Sequence, residues 1–162
     1  MTLNNHHFIS FEPSNDGFVC FLSFDGFVHS KVDPHKLSAK ASRIYTYSIG
    51  RLKKQIEGLN EMRSSNRNIP ARSIWEIGDT ILKMIEELAK ISLQLDDLYG
   101  HLMRDVPAKR MWLEKIIIFR RYIPKKALIP LGLNWGKCRG APKTSALAIV
   151  AGETPRRHNN MR

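Results

Sequence analysis

The chain has 162 residues, of which 43% are hydrophobic and 25% charged, with 26 Lys and Arg against 15 Asp and Glu for a formal net charge of +11. This length suits one domain with a real core, and the near-average balance of apolar and charged residues excludes wholesale disorder. No uncharged apolar stretch approaches the roughly 20 residues that span a bilayer. The first residues lack a secretory leader pattern, and two cysteines, Cys20 and Cys138, are too few for a disulfide framework. The expectation is a cytoplasmic protein with free thiols and no membrane partner.

Charge is distributed unevenly. Residues 1–103 hold 12 Lys and Arg against 12 Asp and Glu, whereas residues 104–162 hold 14 against 3, so the whole excess lies in the last third. A clustered cationic surface attracts phosphates and releases their counterions, which points to a polyanionic partner.

Taken in chain order, residues 1–35 read as a small β-meander. The runs HHFISFE, GFVCFLSF and FVHSKV are separated by Pro-Ser-Asn-Asp and by Asp25-Gly26, both strong turn chemistry. Three antiparallel strands are expected, the middle one placing Phe18, Cys20, Leu22 and Phe24 on one face and Val19 and Phe21 on the other, so that helices or a second copy of the chain are expected to cover both sides.

After Asp33-Pro34 the period becomes helical. Leu37, Ala41, Ile44, Ile49, Leu52, Ile56 and Leu59 predict a helix of about 28 residues, stopped by the polar and proline-containing residues 64–70. Ser73 and Glu76 offer a capping box for a second helix. Its apolar residues Ile74, Ile77, Ile81, Met84, Leu88, Ile91, Leu95, Leu98 and Leu102 alternate at spacings of three and four, predicting one helix over residues 73–103 with a coiled-coil-like seam. The two helices are expected to pair as a long antiparallel hairpin.

Asp105 and Pro107 suit the start of a third helix running to residue 122 or 123. Trp112, Ile116, Phe119 and Ile123, with Met111, Leu113, Ile117, Ile118 and Tyr122, nearly surround it, so it is expected to be a central core helix or an oligomer interface. Residues 124–162 carry Pro124 and Pro130 and no clear period. They read as an extended basic arm with a flexible tail. The fold class is therefore α+β and mainly α, divided into residues 1–35, 36–123 and 124–162.

The candidate site is the third helix with this arm. Lys109, Arg110, Arg120, Arg121, Lys125, Lys126, Lys137, Arg139 and Lys143 supply cations, with Tyr122 and Trp135 interleaved. Cations neutralise phosphates and exposed aromatic rings stack on unpaired bases, a mixture suited to RNA or single-stranded DNA. The expected function is a non-enzymatic nucleic-acid-binding subunit of a larger assembly, and a homo-oligomer through the third helix is compatible with it. The alternative is an accessory subunit, inhibitor or antitoxin docking the arm on an acidic protein.

Other constellations carry less. Asp97 and His101 share a helical i, i+4 spacing but read as a solvent face, and two ligands are too few for a metal. Glu86-Glu87 and Asp96-Asp97 read as the solvated side of the second helix. Cys138 sits between Lys137 and Arg139, where positive charge favours a thiolate. Phosphate-binding glycine loops and nucleophile elbows are missing, so no catalytic residue, metal or cofactor is expected.

Overall fold

The computed structural model describes residues 7–22 and 33–157. Among these, strands β1 (His7–Ser14) and β2 (Gly17–Leu22) are followed by helices α1 (Pro34–Ser64) and α2 (Ala71–Lys90) and strand β3 (Leu93–Leu95). Helices α3 (Leu98–Asp105), α4 (Arg110–Arg121) and α5 (Pro142–Val150) complete the order. The protein is α+β and mainly helical, as its sequence pattern suggests. FVHSKV, the expected third strand, lies outside the described residues.

The sheet is not an antiparallel meander. Its order is β2-β1-β3, with β1 antiparallel to β2 but parallel to β3, which comes from the middle of the chain. Alternation still decides which side is buried: Ile9, Phe11 and Cys20 face α1, while Phe8, Val19 and Phe21 are exposed on the other face. Covering one face suffices for an antiparallel pair packed on a helix. Ser38 and Ser42 of α1 donate to the carbonyls of Cys20 and Phe18, tying the helix to β2.

Helix α1 matches its predicted stripe except at one turn, where Tyr45 is buried and Ile44 only half-buried. Asp33 caps it by accepting from the His35 N–H, proline occupies the first turn, and Leu37, Ala41, Tyr45, Ile49, Leu52, Ile56 and Leu59 are buried. Helix α2 runs antiparallel to it. Gln55 meets Glu76 and Thr80, while Arg43 and Tyr47 share a groove with Lys83 and Glu87. The Ser73–Glu76 capping box is not used, because α2 starts earlier, behind Pro70.

The second limb of the hairpin is shorter than the seam predicts. Helix α2 ends at Lys90, and Ser92 and Asp97 take left-handed φ values of 60° and 51° around β3. Leu93 and Leu95 turn inward as alternate residues of a strand, and their pairing with β1 replaces two helical turns. Asp97 then caps α3, its carboxylate accepting from the Gly100 N–H at 3.1 Å.

His101 is buried, not on a solvent face. Strand β3 is too short to pair with Phe11, so α3 satisfies that residue instead. The Phe11 N–H donates to His101 Nε2 at 3.0 Å, and the Phe11 carbonyl accepts from Arg104 Nη2 at 2.7 Å. The His101 Nδ1–H donates to the Asp97 carbonyl at 2.9 Å, which sets the tautomer. Arg104 also grips Asp105 through Nε and Nη2 at 2.7 and 2.8 Å, and Tyr45 donates its hydroxyl to the same carboxylate. Phe11 stacks on Tyr45 with ring centroids 4.2 Å apart.

Burial works to raise the Asp105 carboxyl, but hydrogen bonds from Arg104 and Tyr45 outweigh it and hold the group below its ordinary value. Burial, then the hydrogen bond to Asp105 and its charge, push the Tyr45 hydroxyl far upward. A lowered native carboxyl contributes stability that is fully present above its ordinary range and lost as pH falls through the lower native value. Asp105→Asn is therefore expected to remove part of the acid sensitivity seen in denaturant titrations below about pH 4. His101→Ala, which strands the buried Phe11 N–H, is expected to cost about 1–3 kcal/mol at neutral pH in the same measurement.

Candidate nucleic-acid interface

Helix α3 stops because Pro107 forces Val106 into an extended conformation, φ −129° and ψ 151°. After a four-residue turn the chain re-enters a helix at Arg110, with Lys109 as N-cap. Asp105 thus ends α3, where the sequence pattern placed it at the start of the third helix. Val106 is buried, and the Arg110 guanidinium lies 4.9 Å from the Tyr99 ring centroid, joining the two helices across the turn.

Helix α4 is clamped from behind by α2. At Gly78 an added Cβ would stand 2.6 Å from Arg120 Cβ and 3.0 Å from the Ile116 carbonyl oxygen, so glycine allows the backbones to approach. Arg120 Nε meets Asp79 Oδ1 at 3.0 Å, and its guanidinium lies 4.4 Å from the Trp75 ring centroid. Trp75 Nε1 and Arg120 Nη1 both donate to the Ile123 carbonyl. Arg120 is therefore a strut, largely withdrawn from any external phosphate.

Residues 124–150 are not an extended arm. Ile129, Leu133, Trp135, Cys138, Ala146 and Ile149 enter the same core cluster as the helical hairpin, and α5 packs on α4. Trp135 is 3% exposed, edge-on to Phe119 at 5.1 Å, with its backbone N–H donating to the Ile69 carbonyl. It belongs to the core and is not a platform for bases. Cys138 is likewise buried, and burial pushes its thiol up to about 11 despite a hydrogen bond from Ser145 and the charge of Lys137. The thiol stays protonated, contrary to the thiolate its flanking cations favour.

The remaining cations divide by what they touch. Arg110 bonds Glu114 at 2.8 Å and Lys126 bonds Glu76 at 2.8 Å, both at partly open positions. Lys109, Arg121, Lys125, Lys137, Arg139 and Lys143 are exposed and make no ion pair with another described residue. Lys143 of α5 lies over the ring of Tyr122, the residue that caps the C-terminus of α4, at 5.1 Å, which brings those two helices' charges together and partly covers the ring.

Two groups are legible only in the structure. Lys137, Arg156 and Arg157 line an open cleft of about 850 Å³ with Thr144 and Thr154, opposed by one acid, Glu153. The buried Pro155 orders this part of what reads as a flexible tail. On α4, Met111 and Ile118 occupy the middle of the outward side, 68% and 37% exposed, with Glu114 and Lys115 beside them. Their spacing is visible in the sequence, but nothing there says which side of so apolar a helix is left uncovered.

Among the described residues no cluster of three or more His, Cys, Asp or Glu side chains is placed to hold a metal, and no helix is long and apolar enough to cross a membrane. No protein-family model matches the sequence, and no curated protein or solved structure shows significant similarity to it. The core role of Trp135 makes a direct prediction. Trp135→Ala is expected to lower unfolding free energy by about 3–5 kcal/mol in chemical denaturation, where loss of an exposed stacking residue would leave it nearly unchanged.

Proposed function

We propose that the protein is a non-enzymatic nucleic-acid-binding subunit that grips phosphates with the cationic surface running from α4 to the cleft behind α5. The observation that carries this reading is the set of six exposed cations, Lys109, Arg121, Lys125, Lys137, Arg139 and Lys143, without acidic partners among the described residues. Folded proteins usually interleave surface charges of both signs. Here Asp79 is taken up by the strut to Arg120, while Glu114 and Glu76 are paired with Arg110 and Lys126 at partly open positions. The cations are mounted on a packed framework of helices and short turns, so little chain entropy opposes their engagement with a phosphate backbone. Such contacts fix position and supply affinity without reading bases. The reading places the protein in the cytoplasm, as one component of a nucleoprotein assembly.

A second reading draws on Met111, Ile118 and Leu147, exposed apolar side chains on α4 and α5 beside these cations. That combination also suits an acidic protein with an apolar stripe, or a second copy of this chain docked through α4.

Salt separates the readings. If about five phosphates are neutralised, affinity for a nucleic acid falls about 500-fold between 50 and 200 mM salt. Fluorescence anisotropy of the full chain across that range is expected to show this slope, flattened by Lys137→Gln with Arg139→Gln. A shallow dependence, or no binding at 50 mM, would overturn the proposal and favour the acidic protein.

A further inference from the structure

Helices α3 and α4 are joined by the four-residue turn 106–109, and the second helix, basic at both ends, presents an uncovered side. Two short helices across a three- or four-residue turn, the second lying on the surface, form the arrangement that sets a helix into the major groove of duplex DNA. Several independent observations fit this. Helix α4 has 12 residues, about 18 Å of length, and a lone helix fits a groove about 12 Å wide. Gly78, Asp79 and Trp75 of α2 hold it rigidly from behind. Met111 and Ile118, at the centre of the outward side, match the apolar contact offered by thymine methyl groups. Arg121, its last residue, and Lys125, beyond its C-terminal end, lie where a flanking phosphate strand would pass.

Single strands fit less well. Base stacking needs open aromatic rings among cations. At the α4–α5 surface Trp135 is buried and Tyr122 is partly covered by Lys143. The exposed Phe8 and Phe21 lie beside Asp96 on strands that carry no Lys or Arg, and Tyr47, open beside Arg43, Arg51 and Lys83, lines a separate groove between α1 and α2. Duplex RNA has a deep, narrow major groove that excludes a helix. Resting on the nucleic-acid reading above, we propose that α3 and α4 act as a helix-turn-helix and that α4 enters the major groove of duplex DNA. Met111, Glu114, Lys115 and Ile118 would then face base edges, Glu114 as an acceptor suited to a cytosine amino group, and Lys109, Arg121 and Lys125 the phosphates.

The test compares binding of the full chain to a mixed-sequence 25-base-pair DNA duplex (about two and a half helical turns), its single strand and the equivalent RNA duplex. Met111→Glu with Ile118→Glu is set against a charge-matched control, Val19→Glu with Phe21→Glu, at exposed apolar positions on the uncovered face of β2. The expected result is duplex DNA bound at least about tenfold more tightly than the other two. The α4 pair should weaken it by about tenfold or more and the control by less than about threefold, with thermal melts unchanged. Should Ile118→Glu impair folding, Met111→Glu alone, at a side chain 68% exposed, carries the comparison. Equal binding of RNA or single strands, or equal effects of the α4 pair and the control, would overturn the groove assignment while leaving phosphate binding intact. Absence of binding to all three would overturn both.

Discussion

Much of this architecture depends on how one residue's backbone is satisfied. Phe11 sits on β1 just past the point where β3 stops, and its N–H and carbonyl face inward with no strand to pair with. Leaving both unpaired in a core costs several kcal/mol. His101 and Arg104 take the place of the missing strand, and in doing so bring α3 against the sheet. Arg104 is itself oriented by Asp105, and Asp105 by Tyr45 of α1. Sheet, hairpin and the first of the two short helices are joined by a single chain of hydrogen bonds around stacked aromatic rings.

From there the geometry of the cationic surface follows. A fixed α3 and a four-residue turn define where α4 begins, and the close crossing at Gly78 defines where it lies. The C-terminal segment then packs over α4 through Trp135, Ile149 and Ala146, and carries Lys137, Arg139 and Lys143 with it. Structural and exposed cations are sorted by this packing. Arg120 turns inward to Asp79 and Trp75, while Arg121, one residue later, turns to solvent.

The local pattern was informative where one rule acted alone. Helix α1, the break before α2, and the inward alternation of β1 and β2 all follow from period and turn chemistry. The pattern misled where tertiary pairing overrode it. Ile91, Leu95, Leu98 and Leu102 keep a helical spacing, yet Leu93 and Leu95 are worth more as a strand beside β1 than as two more helical turns. The left-handed Ser92 and Asp97 that permit this carry no glycine signal. His101 read as a surface residue because its acceptor role is set by a residue 90 positions away. The cations of the candidate interface were visible as a charge excess. Their division into struts and free groups was not, because it depends on Asp79, Glu76 and Trp75 of a different helix.

That separation of 90 residues also has a kinetic side. The α1–α2 hairpin closes over a short loop, but the bond between Phe11 and His101 closes a loop containing the whole of both helices. Bringing distant segments together is entropically costly and slows folding in proportion to such contacts. By the same rule the β1–β2 and α1–α2 hairpins, each closed by a short loop, are expected to form before the bond between Phe11 and His101. During synthesis β1 emerges before β3 and α3 and must wait for them, leaving the Phe11 backbone and the edge of the strand unpaired until they arrive.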